Sequence, residues 1–146
     1  MVEYGTSARV SALVVLRKSE RWASVTGKRV VVTGSRDCKD RDWVWEQLDA
    51  LHAADPIEVL IHGNYRGVDR IADAWAIARG IKVERVDAEW TRFGPRAGPM
   101  RNTRMIREFG PVKCIAFEGA SGTADCLAKA RAAGLEIVDV KARGKA

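Results

Sequence analysis

The sequence predicts an α/β domain of three layers, a mostly parallel sheet of about five strands between helices. Three observations carry this expectation. Short apolar runs alternate with segments at helical spacing from residue 28 to residue 140. The connections between them are short, which is how a parallel sheet is covered on both faces. Gly-bearing turns follow three of the strands, at the carboxyl edge where an open parallel sheet binds its ligands.

In order, strand 28–33 leads to helix 40–53, where Trp43, Leu48 and Leu51 supply part of an apolar face. Strand 57–61 leads to helix 69–79, with Ile71, Ala72, Trp75 and Ala78 at helical spacing. Strand 81–86 runs into a loop around Trp90. Two Gly-Pro steps extend that loop, and a short Arg-rich helix starts near Pro99. Strand 112–117, helix 123–133 and strand 135–140 complete the pattern. Right-handed crossovers make the arrangement Rossmann-like. No repeat or linker divides residues 28–140, which read as one domain. Residues 1–27 read as an N-terminal extension, in which Ala12 to Leu16 suit an edge strand, a packing helix or flexible chain. Residues 141–146 read as a basic tail.

A chain of 146 residues, 47% hydrophobic and 30% charged, has the composition of a soluble globular domain. At this length about two-thirds of the unfolded surface is buried on folding. No apolar run approaches the roughly 20 residues of a membrane span. Val10 to Leu16 ends in Arg17-Lys18-Ser19-Glu20-Arg21 rather than at a small-residue cleavage site, so a cytoplasmic protein is expected. Cys38, Cys114 and Cys126 are odd in number, which predicts reduced thiols; the His, Cys and carboxylate spacings match no common ligand set, so no metal is expected, and no cofactor is expected either. The formal charge is +6, but residues 30–140 hold 16 basic and 17 acidic groups. The excess sits at the ends, so a nucleic-acid partner is not favoured.

Three turns share one layout. Thr33-Gly34-Ser35-Arg36, His62-Gly63-Asn64-Tyr65-Arg66-Gly67-Val68-Asp69 and Glu118-Gly119-Ala120-Ser121-Gly122-Thr123-Ala124-Asp125 each lie between a strand and a helix. Such turns aim backbone N–H groups and a helix dipole at one point, which suits an anion. Gly119 and Gly122 permit close approach of a phosphate, and the Thr123 hydroxyl caps the helix or bonds the ligand. Five arginines and no acid lie between Arg92 and Arg107. Arg96 and Arg101, in or beside the turn, suit bidentate binding of an anion, whereas Arg104 and Arg107 suit a solvated helix face. Tyr65 and Trp90 flank the same loops and offer surfaces for stacking a base.

Val-Val-Val-Thr-Gly-Ser-Arg (30–36), His-Gly-Asn-Tyr-Arg-Gly-Val-Asp (62–69), Ala-Gly-Pro-Met-Arg-Asn-Thr-Arg-Met (97–105) and Gly-Ala-Ser-Gly-Thr-Ala-Asp (119–125) together resemble the YspA family. This is the cpYpsA-related branch of the SLOG superfamily, which also holds the "lonely guy" phosphoribohydrolases and the DNA-processing protein A family. The resemblance implies a Rossmann-like domain that binds a nucleotide or nucleotide-derived ligand, often as a homodimer. The turns and the Arg-rich segment give the candidate binding set: Gly34, Ser35, Arg36, Gly63, Asn64, Gly67, Asp69, Arg96, Gly98, Arg101, Asn102, Gly119, Ser121, Gly122 and Thr123.

The phosphoribohydrolases carry an Arg-Lys-x-x-Met helix. Arg101 and Met105 match it, with Asn102 in place of the lysine. Against their Pro-Gly-Gly-x-Gly-Thr-x-x-Glu turn, Glu118 stands at the proline, Ala120 at the second glycine and Cys126 at the catalytic glutamate. Cleavage of an N-glycosidic bond calls for a carboxylate beside an oxocarbenium-like sugar. Asp125 and Arg101 are the candidate catalytic pair, although Asp125 is rotated about 100° from the glutamate position. Asp69 and Glu118 are further carboxylates; Asp69 reads equally well as a helix cap and Glu118 as a solvated group. His62 suits either a general base or a structural hydrogen-bonder. Three functions follow: binding or sensing of a nucleotide, hydrolysis of a nucleoside monophosphate or related nucleotide, and association with nucleic acid. The first is favoured.

Overall fold

In a computed structural model that describes residues 27–141, a five-stranded sheet is ordered β3-β2-β1-β4-β5, and every pair in it is parallel. The strands are β1 (Lys28–Thr33), β2 (Ile57–His62), β3 (Lys82–Arg85), β4 (Lys113–Phe117) and β5 (Glu136–Val140). The expected extension, with Trp22 and Ala12 to Leu16, lies outside the described residues apart from Gly27, as does the basic tail apart from Lys141.

Each central strand is apolar on both faces because helices cover both. Val30, Val32, Leu60, Ile115 and Phe117 pack with α1 (Arg41–Ala54) and α2 (Val68–Ala78). Val31, Ile61, Cys114 and Ala116 face the other way, toward Met105 of α4 (Ala97–Glu108) and Cys126 and Ala130 of α5 (Ser121–Ala132). Trp75, fully buried, donates its indole N–H to Asp49 (2.8 Å), and Trp43 meets Phe117 edge-on at 5.6 Å. His52 accepts the Ile57 N–H through Nδ1 (2.9 Å), closing the α1–β2 connection.

Two local expectations are corrected. The segment read as a loop of Gly-Pro steps is helical: α3 (Trp90–Phe93) and a 3-10 turn (Gly94–Arg96) run into α4, which starts at Ala97 rather than Pro99. Gly94 has a left-handed φ of 61° that ends α3, and Pro95 opens the next turn without needing a backbone donor. Helix α5 starts at Ser121, two residues before the expected 123, so Asp125 stands in its second turn.

Among the described residues, no helix is long and apolar enough to cross a membrane. The strand order reverses between β1 and β4, so the loops leaving their carboxyl ends diverge to opposite faces and open a crevice.

Candidate functional site

That crevice is a cleft of about 270 Å³. Four stretches line it: Thr33 to Asp37 after β1; Tyr65, Arg66 and Asp69 before and in α2; Arg101, Asn102 and Met105 on α4; and Ala120 to Thr123 at the start of α5. The three predicted turns and the Arg-rich helix therefore meet at one place.

The turn after β1 is fastened to the start of α2 by the Val68 N–H, which donates to the Ser35 carbonyl (3.0 Å). Only glycine permits this contact at position 67. Its φ is 85°, and a Cβ there would strike the Ser35 carbonyl and stand 2.6 Å from the Arg36 carbonyl carbon. The turn after β2 is held by His62, which is fully buried. Its Nδ1 accepts the Asn64 N–H (2.8 Å), so the ring proton resides on Nε2 and is donated to Asp73 (2.7 Å). With both nitrogens engaged, His62 shapes the turn and has no lone pair for general-base work. Asn64, in the left-handed region at φ 54°, donates its side-chain amide to Asp87 (2.7 Å).

Three guanidinium groups face the cleft. Arg36 lies 4.8 Å from the Tyr65 ring centroid and 3.9 Å from where a Cβ on Gly122 would stand, so it reaches the first turn of α5. Arg66 donates to the Tyr65 hydroxyl (3.2 Å) and to Asp37 (3.4 Å). Arg101 donates from Nη1 to the Gly63 carbonyl (2.5 Å) and from Nε to the Asn102 amide oxygen (2.9 Å). Burial pulls the Arg101 pKa below its ordinary value, and the charge of Asp69 opposes that shift. At the far wall, Ala120 precedes α5 and gives it no side-chain cap, so the first N–H groups of the helix and the positive end of its dipole face the cleft.

Asp69 is the acidic group set deepest. It is 8% exposed, lines the cleft and accepts the Tyr65 N–H (3.2 Å). Burial pushes its carboxyl above the ordinary value, against the charge of Arg101 and the Tyr65 and Gly63 N–H groups. Asp125 does not line the cleft. Its Oδ2 accepts from Lys129 (2.8 Å) and from Asn102 (3.0 Å). Glu118 is also absent from the lining.

Of the predicted binding residues, Gly34, Ser35, Arg36, Asp69, Arg101, Asn102, Ser121, Gly122 and Thr123 line the cleft. Gly63, Asn64, Gly67 and Gly119 lie behind it and shape its turns; a Cβ on Gly119 would press on Thr123 and stand 2.9 Å from the Ser35 nitrogen. Arg96 and Gly98 are outside the lining, and Gly98 packs under Trp90, where a Cβ would approach the indole to 3.1 Å. Arg104 pairs with Glu108 (3.5 Å) on the solvated face of α4. Cys126, at the position of the phosphoribohydrolase glutamate, is fully buried beside Cys114.

Arg66 and Asp37 are lining residues absent from the predicted set, and Tyr65, expected to flank these loops, lines the cleft as well. Arg66 had a legible signal, standing between two turn glycines in the second motif. Asp37 had none beyond following Arg36. Among the described residues, no group of three or more His, Cys, Asp or Glu side chains is placed to hold a metal ion.

Residues 28–93 match the sequence profile of the YspA, cpYpsA-related SLOG family. The match covers β1 to α3 and stops before α4. Gene 61 protein of Mycobacterium phage D29 is 42% identical over 120 residues, which cover 77% of this chain and 95% of that protein. The motifs, the sheet order and these two similarities agree: the chain belongs to the YspA, cpYpsA-related SLOG family.

Proposed function

We propose that this chain binds a nucleotide-derived ligand through its phosphate, in the cleft at the β1–β4 crossover. One observation carries the reading: the Arg36, Arg66 and Arg101 guanidinium groups and the uncapped start of α5 converge on one crevice. Arginine forks and helix N-termini both suit phosphate oxygens, the first by paired N–H donors and the second by free backbone N–H groups and the helix dipole. Family membership favours the same ligand class. Ser35, Ser121 and Thr123 add hydroxyl groups to the lining. The volume, about 270 Å³, lies just below the roughly 300–1,000 Å³ of pockets for drug-sized ligands, which favours a mononucleotide over a dinucleotide. The three unbridged thiols favour a cytoplasmic setting.

The test is a thermal-shift panel of nucleoside mono-, di- and triphosphates, NAD, ADP-ribose and cyclic nucleotides. A ligand at 100 times its dissociation constant adds about 2.7 kcal/mol to stability. A selective shift that Arg101→Ala removes supports the reading; no shift with any nucleotide defeats it.

Hydrolysis of an N-glycosidic bond is a second reading, favoured by the Asp69 carboxyl in the lining, where the charge of Arg101 acts on it. It requires free base to be released in proportion to protein, and that release to be lost in Asp69→Asn.

A further inference from the structure

Arg101 is the most deeply set cation of the cleft, and its side chain is held at two points. One Nη1 hydrogen goes to the Gly63 carbonyl (2.5 Å), and the Nε hydrogen goes to Asn102 Oδ1 (2.9 Å). A guanidinium has five N–H groups. These two bonds fix its plane and leave its other edge for a ligand.

The second bond depends on which way the Asn102 amide points. Asn102 is 3% exposed, and its Nδ2 donates to Asp125 Oδ2 (3.0 Å) and to the Gly122 carbonyl (3.2 Å). A carboxylate and a carbonyl can only accept, and a guanidinium can only donate. The amide therefore has one satisfactory orientation, with nitrogen toward Asp125 and oxygen toward Arg101. Reversed, it would set two donors face to face at Arg101 and two acceptors face to face at Asp125. Asp125 is itself fixed by Lys129, whose Nζ donates to its Oδ2 (2.8 Å) and to the Pro99 carbonyl (2.8 Å).

We propose that Asp125 is a positioning residue: through the Asn102 amide it sets the guanidinium of Arg101 for a phosphate-bearing ligand. The proposal rests on the nucleotide reading above and adds a role for a carboxylate that the cleft does not expose. It also separates this chain from the phosphoribohydrolase pattern. Asn102 replaces the lysine of that pattern, and Asp125, one residue before the glutamate position, joins it in orienting the arginine.

Two measurements on the full chain test it, with 5′-AMP as the probe. The first is solvent exchange of the Arg101 Nε hydrogen by 15N NMR, with the signal assigned by its loss in Arg101→Lys. This hydrogen is protected in the wild type and in Asp125→Asn, whose amide oxygen still accepts from Asn102; it exchanges faster in Asp125→Ala, where the Gly122 carbonyl alone still holds the amide, and fastest in Asn102→Ala. The second is the dissociation constant for 5′-AMP by calorimetric titration. Asp125→Ala weakens binding about fivefold, the worth of roughly one neutral hydrogen bond. Asp125→Asn stays within about twofold of wild type, and Asp125→Ala adds nothing once Arg101 is Lys.

Fast exchange of this hydrogen in the wild type overturns the proposal without any variant having to fold. Equal damage from Asp125→Asn and Asp125→Ala, or additive losses in the Arg101→Lys background, overturns it as well. A wild type that does not bind 5′-AMP or any other nucleotide overturns the nucleotide reading instead, and the exchange measurement then decides the relay alone.

Discussion

Replacing Gly63 with alanine separates the cleft from the fold. Gly63 is not among the residues with positive φ, so an alanine methyl adds no backbone strain there. It would stand 2.6 Å from Arg101 Cζ and 2.9 Å from Arg101 Nε, closer than any real Cβ contact. The guanidinium is the end of a flexible side chain and is the group that yields. It leaves both the Gly63 carbonyl and the Asn102 amide. Loss of one charge-assisted bond to ligand costs about 1.5–3 kcal/mol, which raises the dissociation constant about 10- to 150-fold. Stability falls as well, by the two side-chain bonds the guanidinium gives up, without unfolding the domain. The methyl group restricts the unfolded chain by about 0.4–1 kcal/mol, offsetting part of the two lost side-chain bonds. The assay is calorimetric titration with the mononucleotide giving the largest thermal shift, beside a melt of the unliganded variant. Wild-type affinity in Gly63→Ala refutes the placement of Arg101 in the site. Unfolding of the variant refutes the claim that the arginine is the group that gives way.

Gly67→Ala has the opposite signature. It forces a side chain into a left-handed backbone and against the Ser35 carbonyl, so urea unfolding should show a loss of about 2–4 kcal/mol. Asp49 is held down to about 2 by Arg79 and by the Trp75 N–H. Its folded pKa lies below the unfolded value of 3.8, so its stabilisation is full above that pH and is lost as pH falls through about 2. Asp49→Asn should therefore lower the melting temperature at pH 7, with the gap to wild type closing between about pH 4 and 2. Trp75→Phe removes the indole donor from a fully buried ring and should cost about 1–3 kcal/mol by chemical denaturation. A dinucleotide such as NAD should bind no more tightly than its mononucleotide half in parallel titrations, given a cleft of about 270 Å³.

β1, β2 and β4 were legible because each is a short apolar run closed by a Gly-bearing turn, and those turns named most of the cleft. Boundaries were less legible. Ser121 and Gly122 read as turn residues, yet both belong to α5, because an uncapped start facing a cleft carries no capping residue to mark it. Asp125, expected beside Arg101 as a catalytic carboxylate, stands in the second turn of that helix and bonds Lys129 and Asn102 instead. Arg96 and Arg66 exchanged prominence for a related reason. Spacing reports which residues share a turn, but not which side of the turn faces inward. The 3-10 turn from Gly94 to Arg96 carries Arg96 outside the lining, while Tyr65 and Asp37 hold Arg66 at the mouth.

The walls of the cleft stand on neighbouring strands of one sheet. β1 and β4 are paired from Val30 with Lys113 to Thr33 with Ala116, so the two banks cannot swing apart as two lobes would. A ligand meets a mould already cast, and the movable pieces are side chains at its rim: Arg36, Arg66 and Tyr65. Rotamer changes of exposed side chains take picoseconds to nanoseconds, against microseconds to milliseconds for hinge closure. For the ligand proposed above, arrival and departure then need only side-chain motion at the rim, with diffusion and the strength of the contacts setting the rates.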